Sequence, residues 1–225
     1  MKEGNKITEK NKKVLKIAFN ILAIFCIAVF CFALTPKTFQ NDTFYTIKIG
    51  QSIRENGIDG IDHYSFHGLE YNYPHWLYDF IISLIYDYMG GFTGLYISTA
   101  ILSMILGIVL YFTVRKISKN SLIAFAITLG QMFLMKDYIA ARAQLVTFIL
   151  FVLTILFIEK FLESGKKRYG VGLILIPILI ANVHSAVFPF YFVLYLPYIG
   201  EYIVRLIIDA HLPYKTYKAI LNFKI

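Results

Sequence analysis

A chain of 225 residues that is 58% hydrophobic and only 16% charged departs from ordinary soluble domains, in which about a quarter of residues carry charge. Its apolar residues stand in blocks rather than being dispersed, which excludes a soluble globular protein. The formal charge of +8 lies in short clusters between those blocks, where Lys and Arg set membrane topology, so it does not point to nucleic acid.

Residues 1–13 form a polar, lysine-rich cytoplasmic tail. Val14–Leu34 follows with Lys16 as its one charge, long enough to cross a hydrocarbon core of roughly 30 Å. The basic leader and apolar run are too long for a cleaved signal peptide, so this is expected to be an uncleaved anchor. Cys26 and Cys31 both fall in this block, on different helix faces, and read as small hydrophobes.

Residues 35–92 form an outer loop that concentrates the polar residues, including His63, His67 and His75. Phe44, Tyr45, Ile47, Ile49 and Ile53, following Asp42, suggest a short helix along the membrane surface. Residues 76–89 would make a helix of about 21 Å, too short to span. Leu77, Phe80, Ile81, Leu84, Ile85 and Tyr88 share one face, and Asp79, Ser83 and Asp87 form a polar edge. The pattern predicts an interfacial amphipathic helix.

Further spans are expected at 93–114, 121–135, 144–161, 170–183 and 186–208, the last two parted by Asn182-Val183-His184-Ser185 and followed by Pro189. A second tail occupies 209–225. If 76–89 does not cross, the inner segments hold fifteen Lys and Arg residues against five outside. The expectation is thus an all-α, multi-pass protein of the cell membrane. It has a single membrane domain of about six transmembrane helices, juxtamembrane helices in an extracytoplasmic first loop, and both termini cytoplasmic.

That topology puts the polar residues on one side. Asp42 can N-cap the helix it opens, serve as a general base, or position a metal. His63 and His67 have a spacing that would suit a metal on a helix, but Gly57, Gly60 and Gly68 mark a loop, so no metal site and no cofactor is expected, a divalent cation having only weak support. Asp137 can cap the following helix. Arg142 can snorkel to the interface or bind a lipid phosphate with its forked donors. Gln144 follows it. Asn182 and His184 can bond locally or contact a polar headgroup.

Several of these features together resemble the GT-C superfamily of membrane glycosyltransferases, such as protein O-mannosyltransferases and lipid A aminoarabinose transferases. They are the anchor helix, the Asp42 loop, the amphipathic YPHWLYDFIISLIYDYMGG segment, a span ending in Arg115-Lys116, Arg142-Ala143-Gln144 and Asn182-Val183-His184. The resemblance implies sugar transfer, with inversion, from a polyprenyl-phosphate donor to an extracytoplasmic acceptor. Asp42 would match the first-loop catalytic acid. Asp137 or Arg142 would match the residues of the second outer loop that support donor binding. The chain departs from the family pattern at Asp42-Thr43, where Asp-Glu is usual, and at Tyr73-Pro74-His75, where two prolines are usual. Relatives are also longer, which makes this chain a truncated or minimal form in that reading.

Gln144, Asn182 and His184 join the expected substrate-binding set, with membrane lipid and a lipid-linked sugar as partners. The alternative is a non-catalytic scaffold subunit in envelope polysaccharide or glycolipid assembly. A transporter ranks third, because no charge lies deep in a span and no paired broken helices are evident.

Overall fold

The computed structural model describes residues 9–211. The expected tails lie mostly outside that range, which includes only 9–13 of the first and 209–211 of the second. Contacts divide the chain into two units, Met1–Phe188 and Pro189–Ile225.

The first unit contains seven α-helices: α1 (Glu9–Leu34), α2 (Asn41–Asn56), α3 (Trp76–Tyr88), α4 (Phe92–Ser118), α5 (Ser121–Leu134), α6 (Ala143–Ser164) and α7 (Lys167–Val183). The second contains α8 (Phe190–Val193) and α9 (Leu196–His211). Among the described residues, the strand-like feature is a single antiparallel bridge between Ile61 and Glu70 in the first loop.

Among the described residues, four helical stretches are long and apolar enough to cross a membrane: Asn11–Leu34, Phe92–Ser118, Ala143–Ser164 and Ser185–Ile208. At 1.5 Å per residue, α5 and α7 reach only about 21 and 26 Å, short of a hydrocarbon core. Both remain apolar, and Pro177 lies inside α7.

In the first unit, α1, α4, α5 and α6 enclose a core that includes Ile27, Cys31, Leu106, Met132 and Leu145. Gly107 allows close approach there: a Cβ on it would stand 2.6 Å from Cys31 Sγ and 2.9 Å from Ile27 Cγ2. Thr99, Ser103, Thr128, Thr147 and Thr154 are buried between helices, while Leu15, Ile21, Phe25, Ile174 and Ile178 are exposed. Small polar side chains inside and large apolar ones outside is the arrangement of helices packed in lipid. The two thiols are free, Cys31 buried and Cys26 half-buried.

The first loop packs as a helical pair, α2 against α3, which also meets α4 and α7. Gly50 sets the spacing: a Cβ there would fall 2.0 Å from the Asp79 carbonyl oxygen and 2.7 Å from Ser83 Cβ. The buried face of α3 therefore differs from the one its apolar periodicity predicts. Tyr78, Asp79, Ile82 and Ser83 point inward, whereas Ile81 and Tyr88 are exposed. The small Ser83 admits the α2 backbone where a leucine would hold it away. The polar edge is in fact the packing seam.

Candidate functional site

Three segments far apart in sequence meet at one end of the first unit. The first two turns of α2 supply Asp42, Tyr45 and Thr46. The connection into α6 supplies Arg142 and Gln144, and the turn after α7 supplies His184. With Tyr71, Pro74 and His75 from the loop before α3, they line a cavity of about 340 Å³.

Backbone and side-chain hydrogen bonds hold these segments in register. Thr43 Oγ1 donates to the Ala141 carbonyl at 3.3 Å, tying α2 to the α6 entry. The Ser185 N–H donates to the Pro74 carbonyl at 2.8 Å. Trp76 Nε1 donates to Asn182 Oδ1 at 3.0 Å, linking residues 106 positions apart. Tyr73, just before Pro74, takes a left-handed backbone (φ 42°), unusual for a large residue. It is fixed there by burial and by its hydroxyl, which donates to Asp59 Oδ1 at 2.9 Å.

Opposite charges face each other at the rim. Arg142 Nη2 lies 2.5 Å from Asp42 Oδ2, with side chains 42% and 60% exposed, and Arg142 Nη1 donates to Gln40 Oε1 at 3.2 Å. Asp42 therefore does not cap α2. The N-cap is Gln40, with no side-chain cap bond, and the carboxylate turns to Arg142 instead. A guanidinium a few ångströms away competes well with backbone N–H groups for a carboxylate.

His75 lines the cavity in front of a buried carboxylate. Its Nδ1 lies 2.6 and 2.7 Å from the two Asp79 carboxyl oxygens, and Asp79 is wholly inaccessible. Burial pushes the Asp79 carboxyl above its ordinary range, while hydrogen bonds from His75 and Thr46 pull it back. An ionised Asp79 fixes the His75 proton on Nδ1 and leaves Nε2 for proton transfer or hydrogen bonding.

Across the cavity, the His184 ring stands 6.4 Å from that of His75, with its Nδ1 3.3 Å from Thr147 Oγ1. Burial first, then the neighbouring His75 and Arg142, lower its pKa and so favour the neutral imidazole. Tyr71 completes the wall, its ring edge-on to Tyr45 at 6.3 Å and Tyr73 at 4.7 Å, and burial raises its hydroxyl pKa.

Of the residues singled out in the sequence, Asp42, Arg142, Gln144 and His184 line this cavity, whereas Asp137 and Asn182 do not. Asp137 lies at a separate depression with Lys136 and Thr38. It caps no helix, since Arg142 occupies the N-cap of α6. Asn182 acts through Trp76, outside the cavity. His63 pairs with Asp59 at 2.6 Å and does not line the cavity. Asp59 is held down to about 2, the Ile61 N–H acting first and His63 and Tyr73 also lowering it. No group of three His, Cys, Asp or Glu side chains converges as a metal site among the described residues.

No known protein family, curated protein or solved structure matches this chain. The site must therefore be read from its own geometry. Sequence reasoning missed the His75–Asp79 pair, although the i,i+4 spacing at a helix start was available as a signal.

Proposed function

We propose that this cavity binds the head of a lipid-linked sugar and transfers the sugar to an acceptor hydroxyl, in the manner of the GT-C glycosyltransferases. The supporting observation is that Asp42, Arg142, Gln144 and His184, drawn from three distant segments, line one cavity at the end of an apolar bundle.

In this reading the donor phosphate takes the forked donors of Arg142 and releases Asp42 from the 2.5 Å ion pair. Asp42 then accepts the proton of the acceptor hydroxyl as its oxygen attacks the anomeric carbon. The bond from that carbon to the phosphate oxygen breaks, and the phosphate leaves with the electron pair. The configuration inverts because attack comes opposite the leaving group. Gln144 and neutral His184 hydrogen-bond the sugar, and His75, held by Asp79, is a second group able to carry a proton.

The accompanying topology is six crossings, with α5 and α7 short of full span, the cavity extracytoplasmic and both termini cytoplasmic. It rests on the fifteen-to-five distribution of Lys and Arg. Cysteine labelling of Lys48→Cys from outside intact cells tests it, and labelling only after permeabilisation would reverse the orientation.

The activity test is transfer from radiolabelled polyprenyl-phosphate sugars in membranes holding the full chain or Asp42→Asn. Equal turnover by both would remove Asp42 from the reaction. The Asp42–Arg142 pair also favours a second reading, a non-catalytic assembly subunit, because the cavity's guanidinium is already neutralised. Intrinsic transfer by the protein purified free of other chains would overturn that alternative.

A further inference from the structure

A second cavity, about 670 Å³, opens at the other end of the same unit. Lys16 reaches it from α1, Arg115, Lys116 and Lys119 from the end of α4, and Lys160 and Glu163 from α6. Lys16 precedes Leu34 by about 27 Å of helix, so the two cavities stand at opposite ends of the bundle.

The charge is one-sided. Five cations face the space, and among the described residues Glu163 is the one carboxylate lining it, already bonded to Lys116. Cations at the ends of α4 and α6 complement those helix dipoles, which accounts for part of the cluster. The dipole does not account for Lys16, which lies two turns into α1 from its N-terminal end, beyond the reach of the helix-end charge. Arg115 is held by cation–π contact, its Cζ 5.3 Å from the Phe112 ring centroid and 5.8 Å from that of Tyr111. Lys119 takes a left-handed backbone (φ 56°) at the α4 C-cap, a position glycine would fill more easily, and so keeps a charge at the mouth.

Below this basic rim the wall becomes apolar. Val109 and Phe112 lie one to two turns up α4 from Arg115, and Leu156 lies one turn up α6 from Lys160. A ligand suited to both zones is amphiphilic, with phosphate at the rim and hydrocarbon along the wall.

We infer that this cavity is a binding site for an anionic phospholipid whose headgroup carries two phosphates, seated between Lys16, Arg115 and Lys119. Basic pockets between spanning helices suit such headgroups, and a net excess of four positive charges in the lining suits a dianion better than a zwitterion. The site is independent of the proposed transferase cavity.

The test uses the full chain, purified and delipidated in neutral detergent, with native mass spectrometry and thermal unfolding as readouts. Cardiolipin is the probe, compared with phosphatidylcholine and inorganic pyrophosphate. Cardiolipin should remain bound and raise the unfolding midpoint, and phosphatidylcholine should do neither. The double variant Lys16→Gln/Lys119→Gln should bind cardiolipin about thirtyfold more weakly. Lys48→Gln, at the other end, should bind like the parent. To separate binding from any effect of the double variant on folding, Arg115→Lys serves as a second probe that keeps the charge but loses the fork, with an intermediate loss expected. Undiminished binding by the double variant would overturn the site. Stabilisation by pyrophosphate equal to that by cardiolipin would overturn the lipid in favour of a soluble phosphate ligand.

Discussion

His75 Nδ1 stands 2.6 Å from a carboxyl oxygen of Asp79, and Asp79 has no exposed surface. A carboxylate is rarely buried without partners, and His75 and Thr46 are the partners this one has. The pair ties the floor of the cavity to the seam between α2 and α3. Asp79→Ala would leave the His75 nitrogen and the Thr46 hydroxyl without their acceptor, at a cost of about 1–3 kcal/mol. Asp79→Asn keeps an acceptor and removes the penalty of burying charge, so it should cost less. Thermal unfolding in detergent checks the order, and equal losses would show that the negative charge itself is required.

The same seam predicts a sharp contrast between two glycines. A Cβ at Gly50 would stand 2.0 Å from the Asp79 carbonyl oxygen, a backbone atom that cannot swing aside. Gly50→Ala must push α2 from α3 and should destabilise by at least the 1–3 kcal/mol, or about that, typical of overpacking. Gly130 in α5 has nothing within 4 Å of such a Cβ. Gly130→Ala should be neutral or stabilising by up to about 1 kcal/mol through helix propensity. Matched melting curves compare them, and equal effects would count against the close packing at Gly50.

Gly50 and Asp79 also show where the sequence stopped being legible. The long apolar helices could be read because lipid demands long apolar runs, although four stretches and not six are long and apolar enough to cross among the described residues, and α2 could be read from the spacing of Ile47, Ile49 and Ile53. The inward face of α3 could not, because periodicity assumes that apolar residues seek the core. In a bundle whose outer surface is itself apolar, that assumption fails: Ile81 turns outward while Asp79 and Ser83 turn inward. Asp42, Arg142 and His184 stood out as polar residues near the ends of apolar blocks. Asp137 stood out for the same reason, and only the three-dimensional path of the connection sends it elsewhere. Asn182 was visible as a polar residue at a helix end, but its partner Trp76 opens a different helix, 106 positions away.

That Trp76–Asn182 hydrogen bond gives a third prediction. It joins the start of α3 to the end of α7 and so fixes His75 relative to His184. Trp76→Phe should cost about 0.5–1.5 kcal/mol in stability, as a single neutral hydrogen bond does. Adding Asn182→Ala to Trp76→Phe should cost less than the sum of the separate changes. A double-mutant cycle measures that coupling, and strict additivity would mean the bond contributes nothing.

His184 carries a pH dependence whose sign is fixed by its surroundings. Burial, His75 and Arg142 lower its pKa in the folded protein, while the unfolded chain titrates near 6.5. On acidification the unfolded state therefore takes up the proton first. The stability this group contributes is complete above about pH 6.5 and is lost as pH falls from there toward the folded value. Asp79 acts in the opposite sense: its raised pKa means the folded state takes up the proton first, so acidification toward 3.8 favours folding. His184→Gln removes only the first effect. Relative to the parent, its unfolding midpoint should rise as pH falls below 6.5, and a pH-independent difference would show that His184 does not titrate across the transition.

The Arg142–Asp42 pair separates structure from chemistry, because its two roles predict different outcomes for the same substitutions. Both side chains are substantially exposed, so the ion pair contributes at most about 1 kcal/mol to stability. Asp42→Asn and Arg142→Gln should therefore melt close to the parent. If Asp42 accepts the acceptor proton, Asp42→Asn should lower sugar transfer by about 10²–10⁴-fold. Arg142→Lys keeps the charge but loses the forked donors, so its loss should fall chiefly on donor binding. The charge-swapped double variant, Asp42→Arg with Arg142→Asp, decides between the roles. It restores an ion pair across the rim but places a carboxylate where the phosphate would bind. Thermal stability should stay close to the parent value while transfer is lost. Transfer at the parent rate would show that the pair only holds α2 against the α6 entry, and the reacting groups would then have to be sought at His75 and His184.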